Sequence, residues 1–380
     1  MAEKKRQHYV PRFYLKNFSV NGQGKVISTY NLNSKKFVPL ASLKTQAYKN
    51  YFYGENGRME HNLSILEANS GTVIKNILQN NTLPGLKSHD HITLLAFTVF
   101  LKSRTLYSAE EHQEMVEKLI KTIYSKDSRL KNHLNNFRII VNGPTRLALR
   151  SVAQCLPIAL DLYYKLLINQ TNISFITSDN PVIYYNQFME LKKAFASGTG
   201  LACKGLEIFL PLSPRHYIIF FDRDVYKIGL KKDIYVMISD QKDVISLNEL
   251  QCMSAYENLY FNQDISQYEI IKLIHKAERY RRKTKADVDE YIGPTDEEGT
   301  HFLIRTHRAE IKCRLNLGFI KILKKAKHYE LGNRVLHVRS EQNYQIFVEF
   351  LELVDQGHYQ ISDFPIFLKQ QRLKIESIKR

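Results

Sequence analysis

Three polar residues of different chemical types are candidate catalytic groups. His8 lies in an aromatic and cationic segment, Arg104 ends an otherwise apolar helical pattern, and Asp179 follows the strand-like run 173–177. Histidine can act as a general base, arginine can bind a phosphate through two hydrogen bonds, and a carboxylate at the end of a strand is well placed to bind a ligand. We predict that the three meet in one polar site, with Asp179 ionised and Arg104 opposite it.

A metal centre is a further prediction from the acidic residues. Glu67 lies in the helical pattern 60–78, and together with Asp179 it could hold Mg²⁺, which prefers carboxylate oxygens. His8 or a metal-bound water would then be the base, and Arg104 would stabilise the charge of a phosphoryl transition state. Each residue also has a structural alternative: a hydrogen-bonded turn for Asp179, solvent exposure for Glu67, an ion pair for Arg104 and packing for His8.

Charge favours a polyanionic partner. The formal net charge is +17, and residues 1–50 contain ten Lys or Arg but a single acidic residue, Glu3. Such a field attracts phosphate backbones in a salt-dependent, sequence-independent way. Surface charges that only interact with solvent are the alternative. The predicted nucleic-acid contacts are Lys4, Lys5, Arg6, Arg12, Lys16, Arg279, Arg281, Arg282 and Lys283.

Several classes of protein are disfavoured. The longest apolar run, 92–101, is too short to cross a bilayer, and the basic start leads into aromatic and polar residues rather than a signal core. We therefore expect a cytoplasmic protein without a membrane partner. Four cysteines lack metal-ligand or disulfide spacing, and no P-loop, GxGxxG or GxSxG motif occurs. Oligomeric state is left open.

Periodicity predicts an α+β fold in which a helical first third packs on a central antiparallel sheet, followed by a smaller C-terminal domain of mixed structure. The predicted domains are 1–290, a core with a basic N-terminal arm, and 291–380, with the Gly- and acid-rich stretch 291–300 as a linker. The remaining predictions are a hairpin at 26–40, helices at 60–78, 88–106, 109–124, 243–261 and 267–285, and strands at 158–168, 173–177, 182–185, 206–210, 217–221 and 235–238.

Several short segments also resemble a known family. They are QHYVPRFYLKNF at 7–18, TSDNPV at 177–182 and PLSP at 211–214, with Arg104, Asn248 and Ala255 at expected positions. Together they resemble a mainly bacterial family catalogued as domain of unknown function number forty-two thirty-eight, over roughly residues 7 to 262. The resemblance implies a domain and no particular activity. The chain departs from the usual pattern in lacking Trp and in having Lys102 where glutamine is common.

Three functions are consistent with these observations. The first is a metal-dependent nuclease-type effector directed at nucleic acid, which the family's bacterial distribution would allow to act in phage defence. The second is a non-catalytic nucleic-acid-binding protein that uses its basic clusters and aromatic side chains. The third is a protein-interaction module. RNA and DNA are not distinguished at this stage.

Overall fold

The computed structural model describes residues 5–54, 57–127, 129–194, 198–296, 299–331, 336–364 and 366–371 of the chain. The helices are α1 Arg12–Lys16, α2 Arg58–Asn80, α3 His89–Ser103, α4 Leu106–Tyr124, α5 Pro144–Cys155, α6 Gln187–Leu191, α7 Gln241–Ser254, α8 Gln267–Glu278, α9 Lys324–Lys327 and α10 Glu341–Asp355. The strands are β1 Arg6–His8, β2 Val26–Asn31, β3 Lys36–Ser42, β4 Tyr48–Asn50, β5 Tyr163–Asn169, β6 Thr177–Ser178, β7 Ile183–Tyr185, β8 Glu207–Ser213, β9 His216–Phe221, β10 Tyr226–Ile228, β11 Tyr235–Ile238, β12 Asn258–Phe261, β13 Ala286–Asp296, β14 Gly299–Arg308 and β15 Ile320–Ile322.

The main sheet has five strands in the order β11-β5-β9-β8-β7. Its pairs are antiparallel except for β11 and β5, which run parallel. Strand β9 shows why the sheet is central, because its successive side chains enter two different cores. Tyr217, Ile219 and Phe221 belong to one hydrophobic cluster, and Ile218 and Phe220 belong to the other. Both faces of the sheet are therefore covered, as its nearly continuous apolar strands require.

Helices complete the two cores. Val73 of α2 and Leu94 of α3 pack in the cluster with Phe220, whereas Val244 and Leu247 of α7 pack in the cluster with Tyr217. Helix α3 begins at the N-cap Ser88, whose hydroxyl accepts a hydrogen bond from the His91 backbone N–H. The arrangement is a sheet between helical layers, and loops that leave β6 and α7 meet at one end of it.

A second sheet has the order β3-β2-β12-β6. Strand β12 pairs antiparallel with both β2 and β6, so it ties the first hairpin of the chain to the middle of the sequence. The short β6 is followed by a buried stretch, because residues 174–186 are all buried. This segment contacts both α7 and β12.

The chain after α8 packs against the same core. Strands β13 and β14 form a two-stranded antiparallel hairpin, and β15 pairs with β10. Leu315 and Leu317 join the hydrophobic cluster that contains Tyr217. The prediction of a linker at 291–300 is wrong, because the described residues of this stretch, 291–296 and 299–300, belong to the strands of the hairpin. Its strand content was obscured by Gly293 and Pro294, which interrupt the β-branched pattern at a register shift between Ile292 and Thr295.

The α+β class is confirmed, since the structure contains both helices and sheets. Several details differ from the sequence predictions. The sheet has one parallel pair, and the predicted strand at 158–168 begins only at Tyr163, after a 3-10 helix. Of the predicted strand at 173–177, only Thr177 lies in a strand, β6. The predicted helix 267–285 ends at Glu278, and the predicted helix 243–261 ends at Ser254 and gives way to β12. In the last case the apolar run of β12 is buried between two strands, and tertiary pairing overrides the helical pattern. No described helix combines the length and apolarity needed to span a bilayer.

Candidate functional site

Asp179 lies at the buried end of β6 and is only 1 % exposed. Its carboxylate accepts hydrogen bonds from the backbone N–H groups of Tyr256, Glu257 and Asn258, each at 2.8 Å. Burial raises the pKa of this carboxyl to about 6, while the three donors favour the ionised form. Asp179 therefore acts as an anionic clamp on the turn between α7 and β12.

The neighbours of Asp179 make similar connections. The Asn180 amide donates to the backbone oxygen and hydroxyl of Ser254 at 2.9 and 3.0 Å, at the end of α7. The Tyr14 hydroxyl contacts Thr177 Oγ1 and donates to the Pro211 carbonyl, both at 2.7 Å. Asn248 accepts a hydrogen bond from the Ile176 N–H at 3.0 Å. The three sequence segments that carry the family resemblance thus meet in one buried hydrogen-bonded junction.

Arg104 is buried beside the other end of the N-terminal segment. Its Nη1 donates to Glu67 Oε1 at 2.6 Å, its Nε to the Tyr53 hydroxyl at 2.8 Å, and its Nη2 to the His8 backbone carbonyl at 2.8 Å. The phenol and the Glu67 carboxylate favour the charged guanidinium and raise its pKa, although burial alone would lower it. Arg104 thus holds α2, α3 and β1 together.

His8 contributes to this cluster through its backbone. Its carbonyl accepts from Arg104 and also from the Tyr53 hydroxyl at 3.1 Å, whereas its ring Nδ1 lies 3.0 Å from the Gln46 carbonyl oxygen. The imidazole packs against Tyr48 with ring centroids 5.8 Å apart. The ring therefore contacts the segment 46–48, while the Arg104 guanidinium is bound by the His8 main chain.

The predicted polar site is therefore divided in two. Arg104 pairs with Glu67 rather than with Asp179, because three acceptors from the first hundred residues surround the guanidinium and three backbone N–H groups surround Asp179. That part of the prediction is wrong. The catalytic role of His8, Arg104 and Asp179 and the Mg²⁺ site at Asp179 and Glu67 stay predictions without support from these contacts. Among the described residues, no three His, Cys, Asp or Glu side chains form a group that could hold a metal.

A different concentration of charge surrounds a cavity of about 150 Å³ between α3, α4, the end of α7 and the end of β14. We call it the basic cavity. Tyr107, Tyr184 and Tyr256 contribute aromatic walls and Glu111 a buried carboxylate. The cations that line it are Lys102, Arg281, Arg282, Lys285 and Arg308.

Most of these cations have an acidic partner. Arg308 Nε lies 3.0 Å from Glu111, Lys285 Nζ lies 3.0 Å from Glu110, and Arg282 Nη2 lies 3.0 Å from Asp287. Arg281 instead donates to two backbone carbonyls, those of Cys252 at 2.6 Å and Tyr256 at 3.4 Å.

Lys102 differs from the other four cations because its ammonium has neither an acidic partner nor a backbone carbonyl partner among the described residues. Its ammonium lies over the rings of Tyr107 and Tyr184, at 5.4 and 6.0 Å from their centroids, and makes no hydrogen bond or ion pair with any described residue. Lys102 is 7 % exposed, and the Tyr184 hydroxyl beside it has no hydrogen-bond partner in the described part of the chain. Burial lowers the pKa of Lys102 to about 8, opposed by Glu111 and reinforced by Arg308.

An open depression of about 340 Å³ adjoins the basic cavity and shares Arg281, Arg282 and Glu310 with it. We call it the basic groove. Arg279, Lys283 and Lys312 are exposed along it, and none of the three forms an ion pair with a described residue. The Arg279 guanidinium lies 4.6 Å from the Tyr280 ring centroid. Four of the predicted nucleic-acid contacts, Arg279, Arg281, Arg282 and Lys283, line this groove.

Comparison with known proteins gives one match. Residues 6–264 match the family described as protein of unknown function (DUF4238). The chain belongs to this family. No curated protein and no solved structure matches the chain. The DUF4238 region covers the buried junction around Asp179 and ends between β12 and α8, so the resemblance inferred from the three short segments is confirmed.

The basic cavity crosses the boundary of the DUF4238 region. Lys102 and Glu111 lie inside the region, whereas Arg281, Lys285 and Arg308 follow it. The described residues of the N-terminal arm, from Lys5 onward, line neither the cavity nor the groove. Arg6 lies in β1 with its guanidinium 5.2 Å from the Tyr48 ring centroid, and Lys5, Arg12 and Lys16 are exposed. Lys4 lies outside the described residues.

The sequence does not predict that Glu111 and Arg308 belong to a site, and Lys102 stands out in it only as a departure from the family pattern. One signal was available, because a lysine two positions before Arg104 occurs within an apolar helix, where a charge requires a reason. Nothing in the spacing connects it to Arg308, which lies more than two hundred positions later.

Replacing Asp179 by Asn tests the clamp. An amide presents one acceptor oxygen and a donor to three N–H groups, so at least one buried donor loses its partner. We expect the free energy of unfolding to fall by roughly 1–3 kcal/mol, measured by urea denaturation. Asp240→Asn is the matched control, since Asp240 caps α7 through one hydrogen bond and asparagine caps equally well. Equal stability of the two variants would contradict a clamp.

Replacing Arg104 by Lys tests the second cluster. Lysine keeps the charge but cannot reach three acceptors with a planar fork, so we expect a loss of roughly 2–4 kcal/mol in the free energy of unfolding. Arg150→Lys, at an exposed position of α5, should change stability by less than about 0.5 kcal/mol. A tolerated Arg104→Lys change would show that its three hydrogen bonds do not hold the elements together.

Proposed function

We propose that the chain binds nucleic acid through the phosphate backbone, with the basic groove as the main contact surface. The observation that carries this proposal is the row of exposed cations Arg279, Lys283 and Lys312, which form no ion pair with any described residue. Cations without acidic partners release counterions from a phosphate backbone when they bind, and this release supplies sequence-independent affinity. Arg282 also lines the groove, but its guanidinium forms an ion pair with Asp287.

Aromatic side chains beside the groove support the proposal. Tyr280 lies in the groove under the Arg279 guanidinium, and in the adjoining basic cavity Tyr256 contacts Tyr107 edge to face with ring centroids 6.3 Å apart. Proteins that bind single strands commonly combine a positive groove with aromatic rings on which bases stack. Together the groove and its tyrosines fit a strand whose phosphates follow the cations.

The finer predictions from sequence stay proposals. They are a nuclease-type activity, a role in bacterial phage defence, a protein-interaction role, a cytoplasmic location, domains at 1–290 and 291–380, and a helical first third packed on the sheet. The β13–β14 hairpin begins at Ala286 and so spans the proposed domain boundary. Nucleic-acid binding without catalysis requires the fewest additional groups, and we favour it for that reason.

The groove is tested with the triple variant Arg279→Gln, Lys283→Gln and Lys312→Gln. We expect the affinity for a single-stranded oligonucleotide to fall by about tenfold or more at low salt, because three phosphate contacts are lost. The slope of log K against log salt concentration should also become shallower, by about 0.7 for each contact to a single strand. Fluorescence anisotropy at several salt concentrations measures both quantities.

The matched control is Lys227→Gln, Lys231→Gln and Lys232→Gln, which removes the same charge from exposed positions at β10 and the turn that follows it. If long-range attraction by net charge were responsible, both triple variants would weaken binding equally. That result, or no binding by the unaltered protein at low salt, would refute the groove as the contact surface.

A further inference from the structure

The basic cavity contains a cation whose charge is not compensated where it lies. Lys102 is more than nine-tenths buried, yet its ammonium contacts only the faces of Tyr107 and Tyr184 among the described residues. An isolated charge away from water is costly to maintain. A ligand that supplies negative charge to the cavity would remove that cost, so the position of Lys102 points to an anionic ligand.

The charges around the cavity indicate which anion fits. Arg308, Lys285 and Arg282 are paired with Glu111, Glu110 and Asp287, respectively. Lys102 and Arg281 have no acidic partner at ion-pair distance in the described chain, whereas Glu310, which also lines the cavity, accepts hydrogen bonds from the Gly198 and Thr199 backbone N–H groups. A phosphate monoester carries a charge of about −1.5 to −2 at pH 7. An internal phosphodiester carries a single negative charge and would interact less strongly with Lys102 and Arg281.

The size of the cavity agrees with a phosphate group. Its volume of about 150 Å³ has room for several water-sized groups but is smaller than the roughly 300–1,000 Å³ of pockets that enclose a whole small molecule. The groove of about 340 Å³ continues from it through Arg281 and Arg282. A terminal phosphate in the cavity would therefore leave the rest of a strand in the groove.

We infer that the basic cavity binds the terminal phosphate monoester of a nucleic-acid strand that lies in the basic groove. Lys102 and Arg281 provide the uncompensated charge, and the Tyr184 hydroxyl, which has no hydrogen-bond partner within the described chain, is available as a donor. This inference rests on the proposed function, and it adds that the chain prefers strand ends over internal positions.

The titration of Lys102 gives the inference a pH dependence. The groups facing it are Glu111 and Tyr107 from α4, Tyr184 from β7 and Arg308 from β14. Burial lowers the pKa of the ammonium to about 8, so the free protein loses this charge as pH rises through that value. A phosphate monoester is already fully ionised there, since its second pKa is about 6. The preference for a terminal phosphate should therefore weaken above about pH 8.

The test compares one single-stranded oligonucleotide with a 5′-phosphate, a 3′-phosphate or hydroxyls at both ends. We expect one of the phosphorylated forms to bind about tenfold or more tightly than the hydroxyl form at pH 7, as one charge-assisted contact warrants. Lys102→Gln should abolish the difference in affinity between the phosphorylated and the hydroxyl forms. Its melting temperature, measured alongside, should not fall, because the substitution removes an uncompensated buried charge. Lys232→Gln, an exposed control with the same charge change, should retain the preference.

Each failure has a distinct meaning. Equal affinity for all three oligonucleotides, with binding intact, overturns the terminal-phosphate site and leaves the proposed function in place. No binding to any of them at low salt overturns both. Calorimetry with inorganic phosphate separates the two sources of a phosphate group. If inorganic phosphate binds as tightly as the phosphorylated strand, the cavity is a site for free phosphate, and the strand-end inference is wrong.

Discussion

The structure depends on satisfying the hydrogen bonds of a buried segment that contains the polar residues 177–180. Residues 174–186 have lost contact with solvent, and an unpaired backbone or side-chain group there would cost about as much as a lost hydrogen bond. Asp179 accepts hydrogen bonds from three backbone N–H groups of the turn after α7 and so gives each of them a partner. Asn180 likewise donates to the Ser254 carbonyl at the end of α7. The same contacts position Tyr256, which forms a wall of the basic cavity. The site thus depends on a residue that does not line it.

Lys102 and Arg104 show how differently two buried cations can be used. They lie two positions apart at the end of α3, and both are less than one-tenth exposed. Arg104 has three acceptors, in keeping with a guanidinium that presents donors in a rigid fork. Lys102 contacts two aromatic faces and lines the basic cavity. Stability accounts for the first arrangement, whereas the second one opposes stability until an anion binds.

The sequence predicted elements well where local pattern and tertiary position agree. Helices α2, α3 and α4 and the β2–β3 hairpin lie close to their predicted bounds, because amphipathic spacing and turn residues are local signals. β12 was missed because its burial between β2 and β6 is decided by strands far away in the chain. The pairing of Arg104 was missed for the same reason: Glu67 and Asp179 are equally suitable partners by residue type, and only the fold separates them.

The hairpin that follows the family region makes the last wall of the cavity, and its attachment is specific. The Lys285 N–H donates to Glu114 at 3.0 Å, Lys118 Nζ donates to the Ala286 carbonyl at 2.6 Å, and Arg308 pairs with the buried Glu111. The three side chains that make these contacts from the DUF4238 region, Glu114, Lys118 and Glu111, all belong to α4. Because Glu111 neutralises Arg308, the hairpin can dock without adding net charge beside Lys102. The DUF4238 region therefore supplies Lys102. The segment after it encloses this lysine and adds Arg281, the second cation without an acidic partner in the described chain. The proposed ligand site is therefore formed by both parts together.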